Sequence, residues 1–111
     1  MLFRSVINVI DAINNLYDMD QKVELLNFWF QQYKKTDFHD WHTHNCSLFS
    51  CVYYVDMSDK NPQTTFELFD KSKFFIESKE GEILIFPSFL KHRSEPNTSD
   101  KIKTIISFNV G

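Results

Sequence analysis

Leu48-Phe49-Ser50-Cys51-Val52-Tyr53-Tyr54-Val55 is a run of β-branched and aromatic side chains, and the polar loop Asp56 to Gln63 follows it. Such a run reads as a buried strand. Working back from it, a second strand is expected over Phe38 to His44, a turn at Lys34-Lys35-Thr36-Asp37, and an aromatic first strand from Glu24 to Tyr33. Working forward, strands are expected over Thr64–Phe69, Phe74–Glu77, Glu82–Phe86 and Ile102–Val110, with a turn at Lys79-Glu80-Gly81 and a polar loop over residues 95 to 101. At the start of the chain, Val6, Val9, Ile10, Ile13, Leu16 and Tyr17 recur at helical spacing, which predicts an amphipathic helix over residues 3–17 broken at Asp18 to Asp20. One helix followed by about seven short strands implies a mainly β domain, an antiparallel barrel or sandwich spanning residues 1–111.

The 111 residues are enough for one modest core. A net charge of −3 argues against a general nucleic-acid surface. No apolar run is long enough for a membrane span, and nothing at Met1 reads as a signal peptide. Cys46 and Cys51 make no disulfide framework, so a reducing cytoplasm is the expected compartment. Twelve phenylalanines against two glycines predict a core filled by aromatic bulk. The Phe28-Trp29-Phe30 stripe suits core or a homodimer interface.

Three of the four histidines fall in His39-Asp40-Trp41-His42-Thr43-His44. Side chains alternate along a strand, so Asp40, His42 and His44 should share one face, with His39 and Trp41 on the other. Two imidazoles on one face can grip one ion. A barrel can bring His92 opposite them and complete a three-ligand site with open positions, as catalytic metals require. Asp40 lies on the expected face to lend a carboxylate instead. Lys91 and Arg93 should point away from the site. Cys46 and Cys51 do not fit the redox spacing Cys-x-x-Cys and read as core thiols.

Four segments in order resemble one family: Trp41-His42-Thr43-His44, Ser50-Cys51-Val52-Tyr53-Tyr54-Val55, Gly81 through Phe86-Pro87-Ser88-Phe89-Leu90-Lys91-His92, and Lys103 through Phe108-Asn109. They look like the 2-oxoglutarate/Fe(II)-dependent oxygenases related to prolyl 4-hydroxylases that are common in phages and bacteria. The resemblance covers roughly residues 24 to 110. It implies a double-stranded β-helix, or jelly roll, and an enzyme that uses O2 and 2-oxoglutarate as cosubstrates to hydroxylate a C–H bond, with a protein prolyl side chain as one substrate class. It also implies Fe(II) on His42 and His92, with His44 where the wider superfamily carries Asp or Glu. Lys103 stands where the family has an Arg for the distal carboxylate of 2-oxoglutarate, and Tyr54 is a further partner for that cosubstrate. Cys51 replaces a family Gly, and Asn45 a Pro. A rival on the same architecture is a cupin-like metal-binding module without oxygenase activity; against it, Ser47, Leu48 and Phe49 stand where cupins place a Glu.

Overall fold

The structure, a computed structural model, describes residues 2–17 and 22–111. The helix α1 covers Leu2–Tyr17. Val6, Val9 and Ile13 form its buried stripe, packed with Cys51, Phe108, Val110 and Val23 on one sheet's outer face. Asn14 accepts a hydrogen bond from the Val23 amide at 2.8 Å, which ties the helix to the segment leading into the first strand. The expected break at Asp18 to Asp20 and the side chain of Tyr17 lie outside the described residues.

Eight strands follow: β1 Leu25–Tyr33, β2 His39–His42, β3 Phe49–Asp56, β4 Thr64–Glu67, β5 Lys73–Phe75, β6 Ile83–Pro87, β7 Lys91–Ser94 and β8 Lys103–Val110. They form two four-stranded sheets in the orders β1-β8-β3-β6 and β2-β7-β4-β5. Every pairing is antiparallel. The chain passes between the sheets from one strand to the next except at the β4–β5 hairpin. This is the jelly-roll arrangement, so the expected fold class stands.

The strand absent from the sequence reading is β7. Its sequence, Lys-His-Arg-Ser, has no apolar alternation and low β propensity. It exists because β2 and β4 flank it and satisfy its backbone on both sides. The face assignment in β2 also needs correction. His39 pairs with Ser94 and His42 with His92, so three steps on β2 oppose two on β7. The extra residue is a bulge. It turns His39 to the side of His42, and the two rings stack with centroids 3.9 Å apart.

The inner faces of the sheets meet in a cluster of Tyr33, Val52, Tyr54, Met57, Phe66, Leu84, Phe86 and Ile105. Phe66 is the only strand residue there from the β2-containing sheet. Its ring meets Phe86 edge-on at 4.9 Å and stacks on Phe74 at 5.2 Å. The expectation of an aromatic core holds only in part. Phe66, Phe86 and Phe108 are buried, whereas Phe28, Phe30, Phe38, Phe69, Phe74, Phe75 and Phe89 are exposed. The reason is geometric: short strands of period two in a small sandwich offer few inward positions. Replacing Phe66 with Ala should cost about 3–5 kcal/mol of stability, read from the urea midpoint at constant m. A cost below about 1 kcal/mol would mean that Phe66 does not join the two sheets.

Candidate metal centre

The register of β2 against β7 places His42 directly across from His92. His44 lies two residues past the end of β2, so the strand itself does not hold it. Backbone bonds do. The His44 amide donates to the Ser88 carbonyl at 3.0 Å, and the Ser88 amide donates to the Leu48 carbonyl at 3.0 Å. The buried Ser88 hydroxyl bonds Ser47 at 2.7 Å and Ser50 at 2.9 Å. Ser50 donates on to Asn109 at 2.8 Å, and Asn109 to Asn27 at 2.9 Å. Trp29 of β1 stacks on the His44 ring at 5.8 Å.

The result is a group of three imidazoles, His42, His44 and His92, whose ligand atoms lie within 4.8 Å of one another. Nitrogens about 2.1 Å from a shared ion lie about 3.0–3.4 Å apart in octahedral or tetrahedral geometry, so the widest pair has to close by up to about 1.4–1.8 Å on binding. The ring nitrogens are also sorted. His42 donates from Nδ1 to the Asp40 carbonyl at 2.7 Å, and His92 from Nδ1 to the Leu90 carbonyl at 2.9 Å. A carbonyl only accepts, so each Nδ1 carries the proton and each Nε2 keeps a free lone pair. Burial lowers the pKa of His44, and His42 and His39 add to the effect. Burial lowers His92 further, to about 4, against a smaller opposing effect of the Leu90 bond. Neutral imidazole is the form that binds metal. The donor set therefore fits a divalent transition-metal ion.

The same three histidines line a cavity between the sheets, with Lys103, Tyr33 and Asn109 on its walls. Lys103 is 1% exposed. Its Nζ donates to the Pro62 carbonyl at 2.7 Å and to Ser94 Oγ at 3.4 Å, and it sits 5.5 Å from the Tyr33 ring. None of the ion pairs among the described residues includes it. Burial of this unpaired ammonium pulls its pKa down to about 8. Ser94, which bonds the ammonium, and His92 are two residues apart on one face of β7, about 7 Å along the strand, and both line the cavity.

The other sequence candidates divide. Tyr54 is fully buried, but its hydroxyl bonds Thr64 at 2.7 Å, and it is not among the cavity-lining residues. Tyr33 lines the cavity and was missed, because an aromatic residue closing a strand carries no signal of its own. Asp40 is exposed and its Oδ1 accepts from the Trp41 amide at 2.8 Å, which leaves it outside the ligand group. Lys91 and Arg93 lie over Trp41, at 5.9 and 5.5 Å, but Arg93, expected to point away from the site, is also among the residues that line the cavity. Cys46 and Cys51 are both free, the first exposed and the second buried.

Residues 64–109 match the model of the family described as "Putative 2OG-Fe(II) oxygenase". No curated protein matches the sequence. Among solved structures, an oxidoreductase of the 2OG-Fe(II) oxygenase family from Burkholderia pseudomallei superposes with a TM-score of 0.82 at 8% identity, over 97% of this chain and 56% of that one. A Pseudomonas putida prolyl-4-hydroxylase gives 0.71 at 18% identity, over 94% of this chain and 60% of that one. A cupin domain from Bordetella pertussis gives 0.57 at 15% identity, over 84% and 86%. The chain thus spans 56% and 60% of the length of the two oxygenases.

The depressed His92 pKa sets a stability prediction for the metal-free protein. An unfolded His titrates near 6.5 and the folded one near 4, so between these values only the unfolded state takes up the proton. Stability should therefore be full above pH 6.5 and fall by up to about 3 kcal/mol as the pH drops to 4. His92→Gln should flatten that slope in denaturant titrations at a series of pH values; an unchanged slope would place the proton uptake elsewhere.

In the sequence of residues 64–109 and in the fold of nearly its whole length, the chain resembles the 2-oxoglutarate- and Fe(II)-dependent oxygenases.

Proposed function

We propose that this protein is a 2-oxoglutarate- and Fe(II)-dependent oxygenase, with the metal on His42, His44 and His92 and the far carboxylate of 2-oxoglutarate on Lys103. One observation carries the reading: a buried ammonium without an anionic partner shares a cavity with three clustered imidazoles. Bound Fe(II) would supply O2 activation coupled to the decarboxylation of 2-oxoglutarate. The protein's own work is positional. His42 and His92 are held with Nε2 presented, and Ser88 fixes the His44 segment. Lys103, beside Ser94, and the imidazoles line one cavity, which suits a ligand with an anionic group at each end. Free space in the cavity is about 30 Å³. That is room for a water or two, so the oxo-acid enters as the wall side chains draw apart.

The reading leaves the oxidised substrate to be identified; a protein prolyl side chain is the class suggested by the name of the Pseudomonas putida neighbour. The exposed Phe28 and Phe30 on edge strand β1 support a homodimer, and the free cysteines suit a reducing cytoplasm. Among the described residues no helix is long and apolar enough to cross a membrane. The second reading, a cupin-like metal module without oxygenase activity, is favoured by His44 standing in place of a carboxylate.

Anaerobic addition of Fe(II) and 2-oxoglutarate should produce a visible metal-to-ketoacid charge-transfer band. The band should be absent in His92→Ala. In Lys103→Ala it should need about 10- to 100-fold more 2-oxoglutarate, the loss expected for one buried charge-assisted hydrogen bond. Metal binding without the band would overturn the oxygenase reading in favour of the cupin-like module.

A further inference from the structure

We infer that two copies of this chain pair through β1, strand to strand and antiparallel, so that the sheet β1-β8-β3-β6 continues across a two-fold axis into its copy. The inference gives the homodimer named above its interface, and it stands whatever the cavity binds. β1 is the edge of its sheet, and among the described residues it pairs with a strand on one side only. Its nine residues, Leu-Leu-Asn-Phe-Trp-Phe-Gln-Gln-Tyr, include no charge, no proline and no glycine. Monomeric proteins guard such an edge by short length, charge, proline or a bulge. The other three edges of this sandwich are guarded in those ways. β2 has four residues, a bulge and Asp40. β5 has three residues and starts at Lys73, and β6 has five and ends at Pro87. In β1 the one irregularity falls between Leu25 and Asn27, which leaves Asn27 to Tyr33 regular and open.

The side chains agree with the backbone. Phe28 and Phe30 stand on the outer face, 62% and 68% exposed, beside the half-buried Ile106 of β8. The helix α1 packs over Phe108, yet Phe28, the cross-strand partner of Phe108, stays bare. Self-complementarity makes a second copy the occupant. A two-fold axis at Trp29, the midpoint of the strand, sets Phe28 opposite the partner's Phe30 and Asn27 opposite the partner's Gln31. Aromatic then meets aromatic and amide meets amide, and no like charges are opposed. The flanks of the strand also differ in sign. Residues 18–24 hold Asp18, Asp20 and Glu24 against Lys22, and residues 34–37 hold Lys34 and Lys35 against Asp37. Antiparallel pairing brings each acidic flank to the partner's basic flank, whereas parallel pairing would set like beside like. Glu24 and Lys34 are exposed and belong to none of the ion pairs among the described residues. Trp29, Gln31 and Tyr33 of the same strand line the cavity, so the interface runs along one of its walls.

Sedimentation equilibrium tests this, with reductant present so that the exposed Cys46 cannot cross-link. The wild-type protein should dimerise with a Kd below about 10 μM. The double variant Phe28→Lys/Phe30→Lys should raise that Kd about 100-fold or more, because lysine then faces lysine across the axis. Phe28→Glu/Phe30→Glu should do the same. An equimolar mixture of the two variants should dimerise again, since each lysine then faces a glutamate. Circular dichroism and thermal melts establish that the variants are folded. Hydrogen exchange on the wild-type protein needs no variant: β1 amides on the open edge should slow as the protein is raised from about 1 to about 100 μM. A wild-type protein still monomeric at about 100 μM would overturn the proposal. So would a dimer that survives in the folded lysine variant, or one whose β1 amides exchange at the same rate at both concentrations.

Discussion

The site depends on the antiparallel pairing of β2 with β7. That pairing brings His42 and His92, far apart in the chain, to directly opposed positions, and no local segment could do so. β7 is only four residues long and has little tendency to be a strand. It is held because β2 and β4 flank it, with Phe66 of β4 opposite His92. The bulge in β2 belongs to the same constraint. By adding one residue ahead of His42, it sets His39 against the His42 ring and lets the chain leave the strand toward His44. The candidate metal centre is thus a consequence of sheet register. A one-residue slip would send His42 to the outer face.

Electrostatics then act on what the register assembles. Burial is the first cause of each resolved shift in the cavity: His92 falls to about 4, Lys103 to about 8, and Tyr33 rises to about 12. All three move toward the neutral form. The cavity thus favours the uncharged forms of its own walls. The imidazoles gain from this, since neutral nitrogen is the ligating form. Lys103 loses, since burial leaves its ammonium only the uncharged acceptors Pro62 carbonyl and Ser94. An anionic partner reverses that loss.

Strands with apolar or aromatic content were legible from the sequence to within a few residues, as β1, β3, β6 and β8 show. Their signal is local. β7 was not legible, because its strand character comes wholly from its neighbours. The three metal-ligating candidates were legible because histidine is rare here and two of them sit at His-x-His spacing. The face of His39 was not, since alternation assumes an unbroken strand and a bulge leaves no mark in composition. Tyr54 shows a similar limit. It occupies the family-like position, yet its hydroxyl is taken by Thr64, while Tyr33 from an unremarked strand end lines the cavity. Which of two buried tyrosines faces a ligand depends on packing across the sandwich, which one strand's sequence does not encode.

Ser88 joins these levels. His44 lies beyond β2, so its place has to be set by something other than the ladder. Ser88 sets it by accepting from the His44 amide, donating to the Leu48 carbonyl, and bonding Ser47 and Ser50 through its hydroxyl. It is also four residues ahead of His92 and enters β7 directly from the β6 turn. One buried serine therefore fixes the segment that carries His44 relative to the strand that carries His92. Asn109 extends this network by accepting from Ser50 and donating to Asn27. This gives the Phe108-Asn109 ending a structural reason: Phe108 packs under the helix on the outer face, and the next residue points inward to brace the loop that holds a metal-ligating candidate. A small domain can thus hold a defined imidazole cluster, because the one member outside a regular strand, His44, is in a segment held by buried hydrogen bonds, which have few alternative partners.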